Sequence, residues 1–218
     1  MTEPIRRSVD SRGSGRPGRR EEAESPLIAK ALDETTWPDF TRLVEKHNGV
    51  WGGCWCMSFH SEGAGKTPAA KNRSEKELRV REGRAHAALV YDGADCVGWC
   101  QFGSAEELPR IKHKRAYNEG LTDLPDWRIT CFFVDKVYRG QGVASKALEG
   151  ALEEIKRLGG GTVESYPEDT TDRKTSGSFL YNATVSLFER HGFTKDRQVG
   201  KHHWVVRAVV PRPRSAAG

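Results

Sequence analysis

Apolar and polar positions alternate from Leu27 to Leu32, and that two-residue period predicts a short strand. Phe40, Leu43 and Val44 then fall on one helical stripe, with Thr36 as the expected cap, Pro38 in the first turn and Asn48-Gly49 as the stop. Val50 to Ala64 is rich in aromatics and glycine and keeps no period. A second helix is expected beyond it, with Ser74 and Glu77 as a capping box and Gly83 as its end. Ala85 to Val90 and Cys96 to Phe102 read as two strands joined through Tyr91-Asp92-Gly93-Ala94, a hairpin signal.

Ser104 to Asp126 is polar, holds Pro109 and Pro125, and is expected to be a long, partly helical excursion between strands. A β-branched and aromatic run, Ile129 to Val134, follows as a strand. Val143, Ala147, Leu148, Ala151, Leu152, Ile155 and Leu158 then mark a long amphipathic helix, ended by Gly159-Gly160-Gly161. Thr162 to Tyr166 is the next strand, which a right-handed crossover sets parallel to the Ile129 strand. Asp169 to Ser178 is a polar loop, Tyr181 to His191 a last helix, and Phe193 to Val199 and His203 to Val210 two closing strands. The order predicts an α/β fold around a single mixed, mostly antiparallel sheet. No internal repeat is found.

At 218 residues the chain is long enough for one well-packed domain. Much of the net charge of +5 sits between Arg6-Arg7 and Arg19-Arg20, in a Ser-, Gly-, Pro- and Arg-rich segment expected to be disordered. The expected division is therefore a basic tail over 1–26, one domain over 27–210 and a short tail over 211–218. The basic tail lacks interleaved aromatics and the domain shows no reader motif, so nucleic acid is not an expected partner. No apolar run approaches a membrane span and no signal core leads the chain, so a cytoplasmic location is expected. Five cysteines fit that compartment. Cys54-Trp55-Cys56 with His60 lacks the second ligand pair of a structural zinc site, so no metal is expected; those thiols are left as candidates to face a substrate cleft.

The most specific chemistry lies between the Ile129 strand and the long helix, in Arg139-Gly140-Gln141-Gly142-Val143-Ala144. A glycine-bearing turn at a helix N-terminus offers unpartnered amides at the positive end of the helix dipole, a site suited to a phosphate or pyrophosphate. A P-loop is excluded, because no Lys-Ser/Thr pair follows the second glycine. A dinucleotide fingerprint starts at Gly140-Gln141-Gly142 and finds Glu164 near the distance of a ribose-binding acid. Its third small position, however, is Ser145, and Asp135 to Arg139 intervene where a tight turn is needed.

The same hexapeptide resembles the Arg/Gln-x-x-Gly-x-Gly/Ala acyl-CoA loop of the GNAT N-acetyltransferase superfamily, and Ser186 to Phe193 resembles the aromatic-x-x-x-Gly-Phe ending of that superfamily's last helix. The resemblance spans roughly residues 27–210. It implies the GNAT fold, with about four helices around a sheet whose central parallel strands splay apart, and acetyl-CoA as co-substrate. Carried over, Phe133 and Val134 would meet the pantetheine arm, and Arg139, Gly140, Gln141, Gly142, Val143 and Ala144 would grip the pyrophosphate. Asn182 would be a weaker pantetheine contact. An arginine on a surface loop needs no ligand to explain it, but within this motif Arg139 suits a phosphate.

The implied reaction is transfer of an acetyl group to the primary amine of a small molecule, or alternatively of a protein, by direct attack in a ternary complex. A base must first deprotonate the ammonium. Glu164 and Asp126 are the candidate bases; either could instead be structural, Glu164 in an ion pair and Asp126 capping a turn. Asp135 is expected to face solvent. Many members carry tyrosine where this chain has Phe188, so the donor to the leaving thiolate is open between solvent, Cys131, Tyr166 and a histidine. The missing tyrosine also keeps a second reading, a non-catalytic acyl-CoA sensor. Trp51, Trp55, Trp99, Gln101 and Phe102 are candidates for an aromatic acceptor pocket or for plain core. Lys112, Lys114 and Arg115 either favour an acidic acceptor, extend the CoA site or are a solvated face. A homodimer is left open.

Overall fold

The computed structural model describes residues 26–63, 68–173, 175–177 and 180–213. The expected disorder of the basic tail, and the last five residues of the expected C-terminal tail, lie outside that range. Seven strands form one sheet in the order β1-β2-β3-β4-β5-β7-β6. They are β1 (Ile28–Ala31), β2 (His86–Asp92), β3 (Asp95–Ser104), β4 (Trp127–Val134), β5 (Gly161–Ser165), β6 (Thr194–Gly200) and β7 (His203–Val210). Every neighbouring pair is antiparallel except β4 with β5. The α/β, mostly antiparallel architecture is the one expected from the pattern.

Five α-helices are found among the described residues: α1 (Trp37–Lys46), α2 (Ala69–Arg81), α3 (Lys114–Glu119), α4 (Val143–Arg157) and α5 (Val185–Arg190). Helix α4 crosses one face of the sheet over β1 to β4, burying Val143, Ala147, Leu148, Ala151 and Ile155 against Ile129, Phe132 and Val163. Its seat is close: a Cβ at Gly150 would stand 2.5 Å from the Ala29 Cβ. Phe188 of α5 joins this core. The other face carries a second core, in which Phe40, Leu43 and Val44 of α1 and Val80 of α2 pack on Leu89, Trp99 and Cys131. A small third cluster gathers Tyr117, Tyr166, Val199 and Val205.

Three local expectations are corrected. Thr36 stands at the start of α1 but does not cap it; its hydroxyl donates to the Ala31 carbonyl at 2.8 Å, latching the turn out of β1. Helix α2 starts after Pro68, so Ser74 lies inside it, its hydroxyl spent on the Ala70 carbonyl one turn back. The last helix begins at Val185 rather than Tyr181. Ala183 is in the left-handed region (φ 58°) and Thr184 is extended, its hydroxyl accepting from the Leu187 amide as a helix cap.

Candidate active site

Strands β4 and β5 pair only from Trp127–Val163 to Ile129–Ser165. Beyond that, β5 ends and β4 runs on to Val134 with a free edge. The last tie is the Ser165 hydroxyl, which donates to the Ile129 carbonyl at 2.9 Å. The Phe132 amide then donates across the gap to the Tyr181 carbonyl at 2.7 Å. Backbone groups alternate sides along a strand, so those of Val134 also face the gap. Those of Phe133 face β3: a Cβ on Gly98 would stand 2.7 Å from the Phe133 carbonyl oxygen. Sequence reasoning gave both residues to a ligand through their backbones; only Val134 is so placed, and Phe133 offers its ring.

The chain leaves β4 through Asp135. Its carboxylate is buried, accepting from the Val137 amide at 3.3 Å and lying 2.7 Å from Lys46 Nζ and 3.3 Å from His47 Nε2. Burial opposes ionisation, but the Lys46 ammonium, the Val137 amide and His47 outweigh it and hold the carboxyl below its ordinary value. The expectation that Asp135 faces solvent is therefore corrected; it anchors the loop to α1. A 3-10 turn over Lys136–Tyr138 leads into the glycine turn, where Gly140 (φ 79°) and Gly142 (φ 82°) take left-handed backbone. Gln141 braces the turn, its amide donating to the Val137 carbonyl at 2.9 Å. Gly142 caps α4, whose first amides, from Val143 onward, have no intrahelical partner.

A cleft of about 780 Å³ opens where the strands part, and Phe133, Val134, Arg139, Gly140, Gly142, Val143 and Ala144 all line it. Gln141 and Asn182 do not; Asn182 is buried instead. The cleft adds residues that sequence reasoning missed, among them His47, Ser145 and Arg190. Arg190 could have been read from its place inside the aromatic-x-x-x-Gly-Phe motif. Two guanidiniums, Arg139 and Arg190, thus share the cleft with a helix N-terminus, an arrangement suited to phosphate.

The candidate bases are elsewhere. Asp126 precedes β4, about 25 Å along an eight-residue strand from the cleft end. Its carboxylate accepts from the Thr162 amide at 2.7 Å and the Thr162 hydroxyl at 2.8 Å, bonds that lower its pKa. Glu164 is fully buried. Arg207 Nε donates to its Oε1 at 2.7 Å, and the Tyr117 and Tyr166 hydroxyls donate to Oε2 at 2.8 and 3.2 Å. Neither carboxylate lines the cleft. A third acid escaped notice because it lies past β5 in an aperiodic loop: Glu168, 8% exposed. Its backbone bonds Ala183 and Val185, its Oε1 lies 3.0 Å from Arg173, and its Oε2 has no partner among the described residues.

Phe188 is fully buried, its ring 5.9 Å from Phe132 and 5.0 Å from Phe193. Tyr181, outside the helix, sets its ring 6.3 Å from Trp51 and 6.1 Å from Phe59. Of the candidate acceptor aromatics, Trp55, Trp99 and Phe102 are core, whereas Trp51 is 41% exposed and lines the cleft. Gln101 is buried, bonded to Lys76 and Thr130. Lys112, Lys114 and Arg115 are exposed. Among the described residues no three metal-ligating side chains converge, and no helix is long and apolar enough to cross a membrane.

A seven-stranded mixed sheet parted at its one parallel pair, with a glycine turn at the mouth of the gap, is an architecture suited to a phosphate-bearing ligand laid along a strand edge. The family model of the GNAT acetyltransferases matches residues 55–193, and the chain belongs to that family. The family's acyl donor is acetyl-CoA. A GNAT-family protein from Desulfovibrio desulfuricans superposes with a TM-score of 0.50 at 14% identity, over 85% of this chain and 100% of that one. A GNAT acetyltransferase from Streptococcus pneumoniae gives 0.49 at 14% identity, over 85% and 100%. A protein from Salmonella typhimurium, solved with its cofactor acetyl-CoA, gives 0.49 at 12% identity, over 87% and 96%. Comparison with curated proteins found no match.

Proposed function

We propose that this protein is an N-acetyltransferase that passes an acetyl group from acetyl-CoA to the primary amine of a small molecule by direct attack in a ternary complex. The observation that carries this is the union, in one cleft, of the free edge of β4 and the glycine turn at the head of α4. In this reading the pyrophosphate rests on the first amides of α4 and on Arg139 and Arg190. The pantetheine runs beside Val134, whose N–H meets the oxyanion of the tetrahedral intermediate. Trp51 and the Phe133 ring, 6.0 Å apart, give the acceptor an apolar wall, which favours a small amine over a protein chain. The free cysteines accord with a reducing, cytoplasmic setting.

For the base we favour Glu168 over Glu164 and Asp126. A proton acceptor needs a free lone pair, and Glu168 Oε2 is unpartnered, whereas the oxygens of Glu164 already accept three hydrogen bonds. Glu168 does not itself line the cleft, but its backbone pairs with the cleft residues Ala183 and Thr184, so in this reading a bridging water would carry the proton to its free oxygen. In place of Phe188, we assign protonation of the leaving thiolate to Tyr181, whose carbonyl accepts from the Phe132 amide of β4 and whose ring lies against the cleft residue Trp51.

Calorimetric titration with acetyl-CoA, beside CoA and NAD, tests the donor; thiol release from an amine panel tests the chemistry. Micromolar acetyl-CoA binding without NAD binding is expected, weakened tenfold or more by Arg139→Glu, a loss of at least about 1.4 kcal/mol. Glu168→Gln is expected to lower kcat about a hundredfold or more with acetyl-CoA affinity unchanged. The buried phenyl ring at Phe188 favours one other reading, a non-catalytic acyl-CoA sensor. Binding without thiol release from any amine would select it.

A further inference from the structure

Beneath the cleft, on the face of α1 and α2, lies a polar group of side chains that acetyl transfer does not use. Cys56 Sγ and Cys131 Sγ stand 3.0 Å apart, both buried. Trp99 Nε1 donates to Cys56 Sγ at 3.1 Å. Lys76, only 1% exposed, donates from Nζ to Gln101 Oε1 at 2.7 Å and lies 3.4 Å from His60 Nε2. Cys131 belongs to β4, and Cys56 to the loop between α1 and α2, where it takes left-handed backbone (φ 56°). We infer that Cys56 and Cys131 are a dithiol pair that a hydroperoxide closes into a disulfide in the folded protein.

The two sulfurs are not equivalent. Burial raises the Cys56 thiol, but the bond from Cys131, the Lys76 ammonium and the Trp99 N–H outweigh it and bring Cys56 below its ordinary value. Burial, and then the neighbouring Cys56, push the Cys131 thiol up. Buried beside Lys76 and Arg79, His60 falls to about 2 and stays neutral, so it adds no second positive charge to the group. Cys56 is therefore the attacking thiolate and Cys131 the proton-bearing resolving thiol. The Cys56 thiolate attacks one peroxide oxygen, the O–O bond breaks, and hydroxide leaves to take up the proton that Cys56 released. The Cys131 sulfur then attacks the Cys56 sulfenic acid, forming S–S and releasing water with the Cys131 proton. In sum two thiols and hydrogen peroxide give a disulfide and two waters.

The remaining cysteines are placed for other work. Cys54 Sγ meets the Ser58 hydroxyl at 3.0 Å. Cys96 lies 3.8 Å from the Gly98 carbonyl, its thiol raised by burial to about 12. Cys100 is fully buried, its thiol raised by that burial. The bond would fasten the loop that carries Trp51 to the strand that carries Phe133, and these two residues form one wall of the cleft. This inference does not depend on acetyl transfer.

The full chain is titrated with hydrogen peroxide, free thiols are alkylated under denaturing conditions, and the intact mass and non-reduced peptides are read. The expected result is loss of two alkylation sites and two hydrogens, a linked peptide joining Cys56 to Cys131, and reversal by dithiothreitol. Cys54→Ser should keep the linkage, and Cys131→Ser should abolish it and leave Cys56 as a trappable sulfenic acid. Linked peptides in the wild type that join Cys54 or Cys100 instead, or full alkylation of both Cys56 and Cys131 after peroxide, would overturn the assignment without reference to any variant's folding.

Discussion

The amide of Phe132 donates to the carbonyl of Tyr181 at 2.7 Å, tying the edge of β4 to the segment that leads into α5. It occupies one of the backbone donors on the free edge of β4, so the donor at Val134 is the one the cleft retains. Hydrogen exchange should therefore find the Phe132 amide protected in the free protein. Acetyl-CoA should slow the Val134 amide by about fivefold or more, the equivalent of one hydrogen bond of about 1 kcal/mol. Protection gained at Phe132 and not at Val134 would reverse the edge assignment.

Gly142 caps α4 with φ 82°, and no atom stands within 4 Å of a Cβ placed there. Substitution by alanine is thus opposed by backbone strain rather than by a clash. Gly142→Ala should cost about 1 kcal/mol in denaturant unfolding. It should weaken acetyl-CoA more than it weakens the fold, because the turn aims the first amides of α4. Equal affinity by calorimetry would remove those amides from the binding site.

Glu164 is buried and its partner Arg207 only partly exposed, with side-chain exposures of 0% and 28%. Glu164→Gln leaves a guanidinium without its counter-charge, at a cost of about 3 kcal/mol at the low end for a broken buried pair. Unfolding midpoints should fall accordingly while acetyl-CoA affinity stays within about twofold, a difference under about 0.5 kcal/mol. Unchanged stability with lost turnover would return Glu164 to the chemistry.

Asp135 sets the acid limit of the loop. Its carboxyl lies below the ordinary value in the folded chain. The stability it contributes is therefore present above the unfolded-state value of about 3.9 and is lost as pH falls through the lowered folded value. Unfolding followed from pH 6 downward should show this loss. Asp135→Asn should be less stable at neutral pH and show a shallower decline in acid. An unchanged decline would assign the acid sensitivity to other carboxylates.

What sequence alone determined was whatever depends on local pattern. Helix α4 was legible because seven apolar residues repeat at 3.6-residue spacing, and the turn before it because Gly140 and Gly142 mark left-handed backbone. The Gly93-Ala94 hairpin and the parallel setting of β5 followed from equally local rules of turn chemistry and handedness. The GNAT resemblance rested on two such short motifs. Helix α5 lost its first turn because Tyr181 spends its carbonyl on Phe132, forty-nine residues earlier in the chain, a contact no local window contains. Glu164 and Asp126 looked equivalent as strand acids. Only the fold gave one to Arg207 and the other to Thr162, and left Glu168 Oε2 without a partner. Cys56 and Cys131, 75 residues apart, meet because α1 and its following loop pack over β3 and β4. Periodicity and turn chemistry are properties of neighbours in sequence, whereas the pairing of buried charges, thiols and free backbone groups is decided by which elements the core brings together.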